Sequence, residues 1–414
     1  MAKGDGSITQ RGRGSWRVRI SAGFEPTTGK RRYVTATVRG TKADARRERD
    51  RLRAEVEGGL KVDAQNVTLS EFIPIWADAK RTSGKIMEET LKGYLSVLKH
   101  AEELLGGVPL RKIDAPMVEA VCADVRAKGL SGTTSHNVHM LLKSVFNKAC
   151  DYGYATRNPC NKVDSPKANE PDRRSLTPQE ASRLLDRLDE SEEKAYRELA
   201  DKERRMLDRG KAFGRSYVKG VSSVSQTMAV RIGLATGARL SEVLALQWRC
   251  VDLESGQVSI RRALKKDGAL KEPKTAAGTC TASVDRKTVG HLARWKSRQA
   301  AELAKFGIRQ TPETPVCCST TGGFINISNF ERWWRSFRDG NGFEGLRFHE
   351  LRHTQATLLL GSGVDVKTVQ ARLGHADASI TLNWYAHAMP GNDRQAADLL
   401  AAIMEHPEKA ARTA

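Results

Sequence analysis

Apolar and basic residues take turns along Trp16 to Ile20, and Tyr33 to Val38 repeats the alternation after a loop with glycine and proline, so both runs predict strands. The two-residue period puts Trp16, Val18 and Ile20 on one face and Arg17 and Arg19 on the other. Thr41 then stands as the N-cap of a helix ending at Gly58 and Gly59. A sheet packed on that helix leaves its basic face outward. From Val67 to about Cys160 the period is helical. Thr68 and Glu71 form a capping box and Val67 and Phe72 a hydrophobic staple, with Pro74 expected to distort the helix they start. Leu91, Tyr94, Leu95 and Leu98 mark a second helix, Met117, Val118 and Val121 a third, and His139, Leu142, Val145, Phe146 and Ala149 a fourth, closed by DYGYATRNPC.

The period breaks over residues 161–174, a polar stretch with two prolines that reads as a linker. A further domain, 175–405, opens at Leu176-Thr177-Pro178-Gln179-Glu180, where an N-cap, a proline at the first helical position and a capping-box glutamate coincide. Residues 189–223 are dense in charge and predict a solvated helical extension, with a contact to DNA or to a neighbouring protomer as the sharper alternative. Further on, a helix runs through Val243 and Leu246, and QVSIRR alternates as the first arm of a hairpin. His349, Arg352, Ala356 and Leu359 share a helical face. Near the end Ala396, Leu399, Leu400 and Ile403 have helical spacing, fit to pack on their own domain or on a neighbour, ahead of a tail at 406–414.

Charge changes this picture more than composition does. Lys and Arg number 69 against 49 Asp and Glu, a formal charge of +20, which points to a nucleic-acid partner. The length of 414 residues allows two or three domains with cores of their own. Seven cysteines without CxxC spacing predict neither a disulfide framework nor a zinc ribbon and fit a reducing interior. The polar start MAKGDGSITQRGRG lacks an apolar leader core, and no run approaches the roughly 18 apolar residues that span a bilayer. A soluble cytoplasmic chain without a membrane partner is expected.

Candidate chemistry collects in four segments. ATGARLSEVLALQW holds Arg239, EPKTAAG holds Lys274, HELRH holds His349 and Arg352, and a Gly-His corner at Gly374 and His375 precedes Tyr385 by ten residues. A phosphodiester repels nucleophiles through its anionic oxygens, and arginine, always protonated, grips two such oxygens at once. Arg239, at a helix start, is disfavoured by the helix dipole unless an anion lies between them, and Glu242 one turn on is placed to hold its guanidinium. Arg352 on an apolar helix face would be a costly buried charge if unpaired. A bound phosphate resolves both.

Two arginines, two histidines, a lysine and a tyrosine in this order closely resemble the tyrosine recombinase, or phage integrase, family, over nearly the whole chain. The resemblance implies a multidomain, mainly α fold with small β elements. Residues 1–60 would form an arm-site DNA-binding domain of three strands and a helix, with Arg17, Arg19 and Arg32 as DNA contacts. Residues 66–160 would form a four-helix core-binding domain, whose Arg-Asn-Pro ending is matched by Arg157, Asn158 and Pro159, and 175–405 the mixed α+β catalytic domain. It implies Tyr385 as nucleophile, Arg239 and Arg352 as a phosphate clamp and His349 as general base or phosphate ligand. His375 would donate to a nonbridging oxygen, and Lys274 would protonate the leaving 5′ oxygen through a 3′-phosphotyrosine intermediate. Lys265, Lys266 and Lys271 compete with Lys274, and GTCTASVD departs from the family's arginine-containing return strand. No cofactor, metal or nucleotide is expected. The partners implied are double-stranded attachment-site DNA and further copies of the chain, a tetramer on DNA. A directionality factor and a host DNA-bending protein are candidate partners, in a bacterial, nucleoid-associated setting.

Two other readings compete. HELRH satisfies HExxH, the zinc-protease pattern, with His349 and His353 as ligands and Glu350 as base, although Arg352 would set a cation beside the metal. A DNA-binding protein of the same fold that no longer cuts is the second. The arm-like module argues against a type IB topoisomerase, and a Mg²⁺-dependent transposase would need an acidic constellation that the chain lacks.

Overall fold

Threonine side chains decide where several helices begin. At Thr41 the hydroxyl accepts from the Asp44 backbone N–H while Asp44 accepts from the Thr41 N–H at 2.8 Å, and α1 (Lys42–Glu57) follows, ending at Gly58. Thr68 and Glu71 repeat the device at the start of α2 (Leu69–Thr82). The computed structural model describes residues 6–24, 29–58, 60, 66–169, 174–209, 219–271, 280–319, 321–374, 397–398, 400–401 and 404. They divide into two units, 1–171 and 172–414. The chain is mainly helical, with small antiparallel sheets.

In the first unit β1 (Ser7–Gly12), β2 (Ser15–Phe24) and β3 (Arg31–Arg39) form an antiparallel sheet in chain order. Val18, Ile20 and Val34 are buried with Ala45 and Leu52 of α1. The opposite face carries Arg17, paired with Thr9 and Thr37, and Arg19, paired with Ser7 and Thr35. The Arg19 guanidinium lies 3.7 Å from the centre of the exposed Tyr33 ring. Arg32 has the parity of Val34, so its side chain leaves the sheet on the side opposite Arg17 and Arg19.

Four helices follow in this unit: α2, α3 (Glu88–Leu105), α4 (Ala115–Ala127) and α5 (Gly132–Asp151). α2 continues through Pro74 to Thr82. Lying in the second turn, the proline forfeits one backbone hydrogen bond, while Phe72, Ile73 and Trp76 around it are buried and hold the helix against the bundle. Asn158 closes the bundle by donating to the Lys143 carbonyl at 2.9 Å and to Asn147 at 2.7 Å. The first part of the polar stretch that follows is docked. His136 Nδ1 meets the Pro166 carbonyl at 3.0 Å, and Asn169 N donates to Thr133 at 3.1 Å.

The second unit starts with α6 (Pro178–Asp208), capped by Thr177 and Glu180 with Pro178 at the first helical position. Its length corrects one expectation. The charged segment from Asp189 to Asp208 is helical but not merely solvated, because Glu192, Ala195, Tyr196 and Leu199 are buried. They pack toward α7 (Lys219–Thr236) and α9 (Arg286–Ala304), across which Glu192 meets His291 at 3.1 Å and Glu203 meets Arg298 at 3.1 Å. The buried Arg231 of α7 answers Asp189 and Glu192, so the acidic residues of α6 meet basic partners instead of water.

After α7 come α8 (Leu240–Leu244), a sheet of β4 (Val251–Asp252), β5 (Gln257–Ile260) and β8 (Cys280–Ser283), and the β6 (Ala263–Leu264) and β7 (Leu270–Lys271) hairpin between β5 and β8. β8 supplies the return strand despite its unusual sequence. The unit is completed by α9, α10 (Ile327–Asp339), α11 (Phe348–Gly361) and α12 (Val366–Leu373). No helix among the described residues is long and apolar enough to cross a membrane.

Candidate active site

Three helix ends meet at one point. α7 stops at Thr236, Gly237 turns the chain with φ of 68°, and Arg239 caps α8. Two oxygens of Glu242 hold that arginine: Oε2 accepts the Arg239 backbone N–H at 2.8 Å, and Oε1 accepts Nη1 at 2.8 Å. Glu242 therefore does what its spacing predicts. α8 is only five residues long and stops before Leu246, so the dipole argument made for a longer helix does not carry over. The Arg239 side chain is 48% exposed, open to an incoming anion.

Arg352 approaches from α11 and is 3% exposed. Its Nη1 donates to the Gly237 carbonyl at 2.9 Å and its Nη2 to the Leu373 carbonyl at 2.6 Å. These are carbonyls at the C-terminal ends of α7 and α12, where the helix dipole favours a cation. The expectation that this buried charge needs a phosphate for company is therefore corrected: carbonyl dipoles offset its desolvation. These two partners are dipoles and do not neutralise the guanidinium.

Two residues that the sequence reading passed over brace the same helix end. Gln355 Nε2 donates to the carbonyls of Leu234 at 3.1 Å and Ala235 at 2.6 Å, and Arg372 Nη2 donates to Ala235 at 2.7 Å and Ser283 at 2.8 Å. A polar side chain at helical spacing from Arg352 and a second arginine just before Gly374 were the available signals. Gly237 is fixed twice, by its positive φ and because a Cβ there would lie 2.4 Å from Gln355 Oε1 and 2.5 Å from Leu373 Cδ2. Gly233, one turn earlier, lies so close to Phe348 that a Cβ would sit 2.4 Å from the ring's Cζ. α7 and α11 can cross at this distance only over a glycine.

His349 follows Phe348 and faces the two arginines with part of its ring exposed. Crowding by the surrounding protein, then the charges of Arg352, Arg239 and Arg347, push its pKa below the ordinary histidine value, with Glu350 opposing. It is accordingly neutral at pH 7 and able to take a proton. If His349 is the proton acceptor, the rate of covalent strand cleavage should hold as pH falls to about 6.5, the free imidazole value, and drop only below it. His349→Gln should remove that acidic limb. A limb centred above pH 7 in single-turnover assays would exclude this role.

HELRH folds in a way that works against a zinc centre. Glu350 is buried, with Oε2 accepting the Arg347 backbone N–H at 2.7 Å and Oε1 accepting Nε at 2.9 Å and Nη2 at 2.6 Å, so its carboxylate is committed to structure. The His349 and His353 rings pack edge to face, 4.9 Å apart. No group of three metal-ligating side chains occurs among the described residues. Lys274, His375 and Tyr385 lie outside the described residues. The structure thus brings together Arg239, Glu242, His349 and Arg352.

The Phage integrase family model matches residues 216–391, and the Phage integrase SAM-like domain model matches 68–163. The chain belongs to the phage integrase family of tyrosine recombinases. Among curated relatives of this integrase family, a tyrosine recombinase XerC-like protein of Caldanaerobacter subterraneus is 26% identical, aligned over 87% of this chain and 89% of its own length. The ICEBs1 integrase of Bacillus subtilis is 23% identical, over 95% of this chain and 99% of its own. Among solved structures the Tn1549 transposon integrase, in complex with transposon right end DNA, superposes with a TM-score of 0.60 at 22% identity, covering 80% of this chain and 99% of that one. A lambda integrase tetramer bound to a Holliday junction gives 0.53 at 18% identity, covering 90% and 96%. The structural likenesses establish the integrase fold.

Proposed function

We propose that this integrase is a site-specific DNA recombinase that serves the integration and excision of a phage or other mobile element, working through a 3′-phosphotyrosine on Tyr385. One observation carries the reading. Arg239 and Arg352 are held at one point by partners that fix their direction, beside a histidine kept neutral. In the cleavage step the Tyr385 oxygen bonds to phosphorus as the bond from phosphorus to the 5′ oxygen breaks. His349 accepts the phenol proton and Lys274 protonates the leaving oxygen, while Arg239, Arg352 and His375 hold the nonbridging oxygens. Attack by another strand's 5′ hydroxyl reverses these transfers and rejoins DNA. The adduct conserves the broken bond, so neither metal nor nucleotide enters the balance.

The solved relatives support assembly on DNA, and we assign four protomers to two attachment sites. Arg17 and Arg19, on the outer face of the first sheet, are assigned to arm-site phosphates. Arg32 is assigned a contact from the sheet's other side. Residues 1–60, 66–160 and 175–405 are assigned as arm-site, core-binding and catalytic domains. The cytoplasm, at the nucleoid, is the corresponding location, with a directionality factor and a host bending protein as candidate partners.

The test incubates the protein, in EDTA, with nicked suicide duplexes made from DNA flanking its own gene. An SDS-stable adduct, mapped to Tyr385 by mass spectrometry, is expected. Retarded but uncleaved DNA, on substrates that a related recombinase cuts, would instead favour a binding-only protein.

A further inference from the structure

Behind the Arg239 and Glu242 pair lies a recess of about 300 Å³ lined by Glu242, Gln247, Arg249, Ser259, Arg261 and Arg262, among others. Its polar groups are mostly cationic donors. Glu242 is the lone carboxylate on its wall, and both of that residue's oxygens are already taken by Arg239. Among the described residues neither Arg249 nor Arg261 forms an ion pair, and both are exposed. Arg249 is nonetheless aimed. The buried Gln247 accepts from its Nε at 3.1 Å and is itself anchored by Nε2 to the Glu313 carbonyl at 2.6 Å. A buried amide that orients an exposed guanidinium into a recess is an arrangement for meeting an anion, because an arginine in water needs no such support.

The recess adjoins the catalytic cluster through Glu242, which lines it and holds Arg239. Ser259 and Arg261 also border the hollow in front of Cys280 and Thr281. Burial and Glu242 push the Cys280 thiol pKa up, while Arg352, Arg239 and Arg372 pull it down, which places Cys280 within the field of the catalytic guanidiniums. The volume is sufficient for a phosphodiester with its sugar.

We propose that the recess formed by Arg249, Arg261 and Arg262 binds a second backbone phosphate of the cleaved DNA, near the scissile one, and so positions the strand on the clamp. The proposal rests on the recombinase reading. Phosphate oxygens of a free nucleotide or of inorganic phosphate share this chemistry, and the test separates the sources.

Duplexes carrying a single neutral methylphosphonate at each position within four nucleotides of the mapped cut are titrated against the wild-type integrase and the Arg249→Gln/Arg261→Gln double variant. One substitution should weaken wild-type binding about 10-fold, the scale of a missing charge-assisted bond, and leave the double variant unaffected. In the double variant the slope of log affinity against log salt should fall by about 0.9, the value for one phosphate no longer neutralised. Arg261→Lys, which keeps the charge, should retain most of the slope. Equal methylphosphonate profiles for the two proteins would overturn the proposal. So would pyrophosphate that raises the melting temperature of the wild type and not of the variant when no DNA position is coupled, since the recess would then take a free anion. A wild type that retains no duplex at all would overturn the recombinase reading and this proposal with it.

Discussion

Tyr385→Phe should bind attachment-site duplex with unchanged affinity and form no covalent adduct. The phenol oxygen is the only atom removed. Its ordinary pKa is near 10, so about one phenol in a thousand is ionised at pH 7, a deficit of roughly 4 kcal/mol that the clamp and the neutral His349 must offset. Without the oxygen no part of that stabilisation has anything to act on, and the rate should drop more than about 1,000-fold, below detection in a gel assay. Gel retardation and SDS-resistant labelling of the same suicide duplex separate the two effects. An adduct that persists in the variant, on any residue, would remove Tyr385 from the mechanism.

Arg352→Lys carries the second largest expected effect. The guanidinium spans the Gly237 and Leu373 carbonyls with two nitrogens while its charge remains in the site. A lysine ammonium is a point donor and cannot bridge both carbonyls and a phosphate from one position. Single-turnover cleavage at saturating DNA should fall about 100- to 1,000-fold, the cost of removing a preorganised donor to developing charge. Stability should change too, because an orphaned buried carbonyl costs about 1–3 kcal/mol. Melting curves distinguish the two roles. A purely structural Arg352 would give cleavage that tracks the folded fraction and recovers at low temperature, whereas a phosphate ligand leaves the folded variant slow. A rate within about 3-fold of wild type would sink the assignment.

What the sequence made legible follows from how local each cause is. Capping boxes at Thr41, Thr68 and Thr177 are decided within four residues, and all three start helices where their spacing placed them. The alternation at Trp16–Ile20 marked β2 for the same reason, while β1, with Ile8 as its single apolar inward residue, carried no such signal and exists by pairing with β2. Glu242 was legible because it lies one turn from Arg239. The support of Arg352 was not, since its carbonyl partners belong to residues 115 and 21 positions away and any residue type supplies a carbonyl. The burial of one face of α6 was hidden similarly, because its acidic residues looked solvated until α9 supplied their partners.

The close approach of Gly233 to Phe348 bears on how this lineage can diverge. The ring cannot swing aside, because Phe330 and Trp334 meet it edge-on at 5.5 and 6.4 Å, and the residue after it is His349. A methyl group gained at 233 must be matched by a smaller side chain at 348, and a smaller side chain at 348 leaves a void unless 233 grows. Substitutions at these two positions, far apart in the chain, should therefore appear in pairs among descendants of this sequence, with single replacements surviving only where cleavage has ceased to matter.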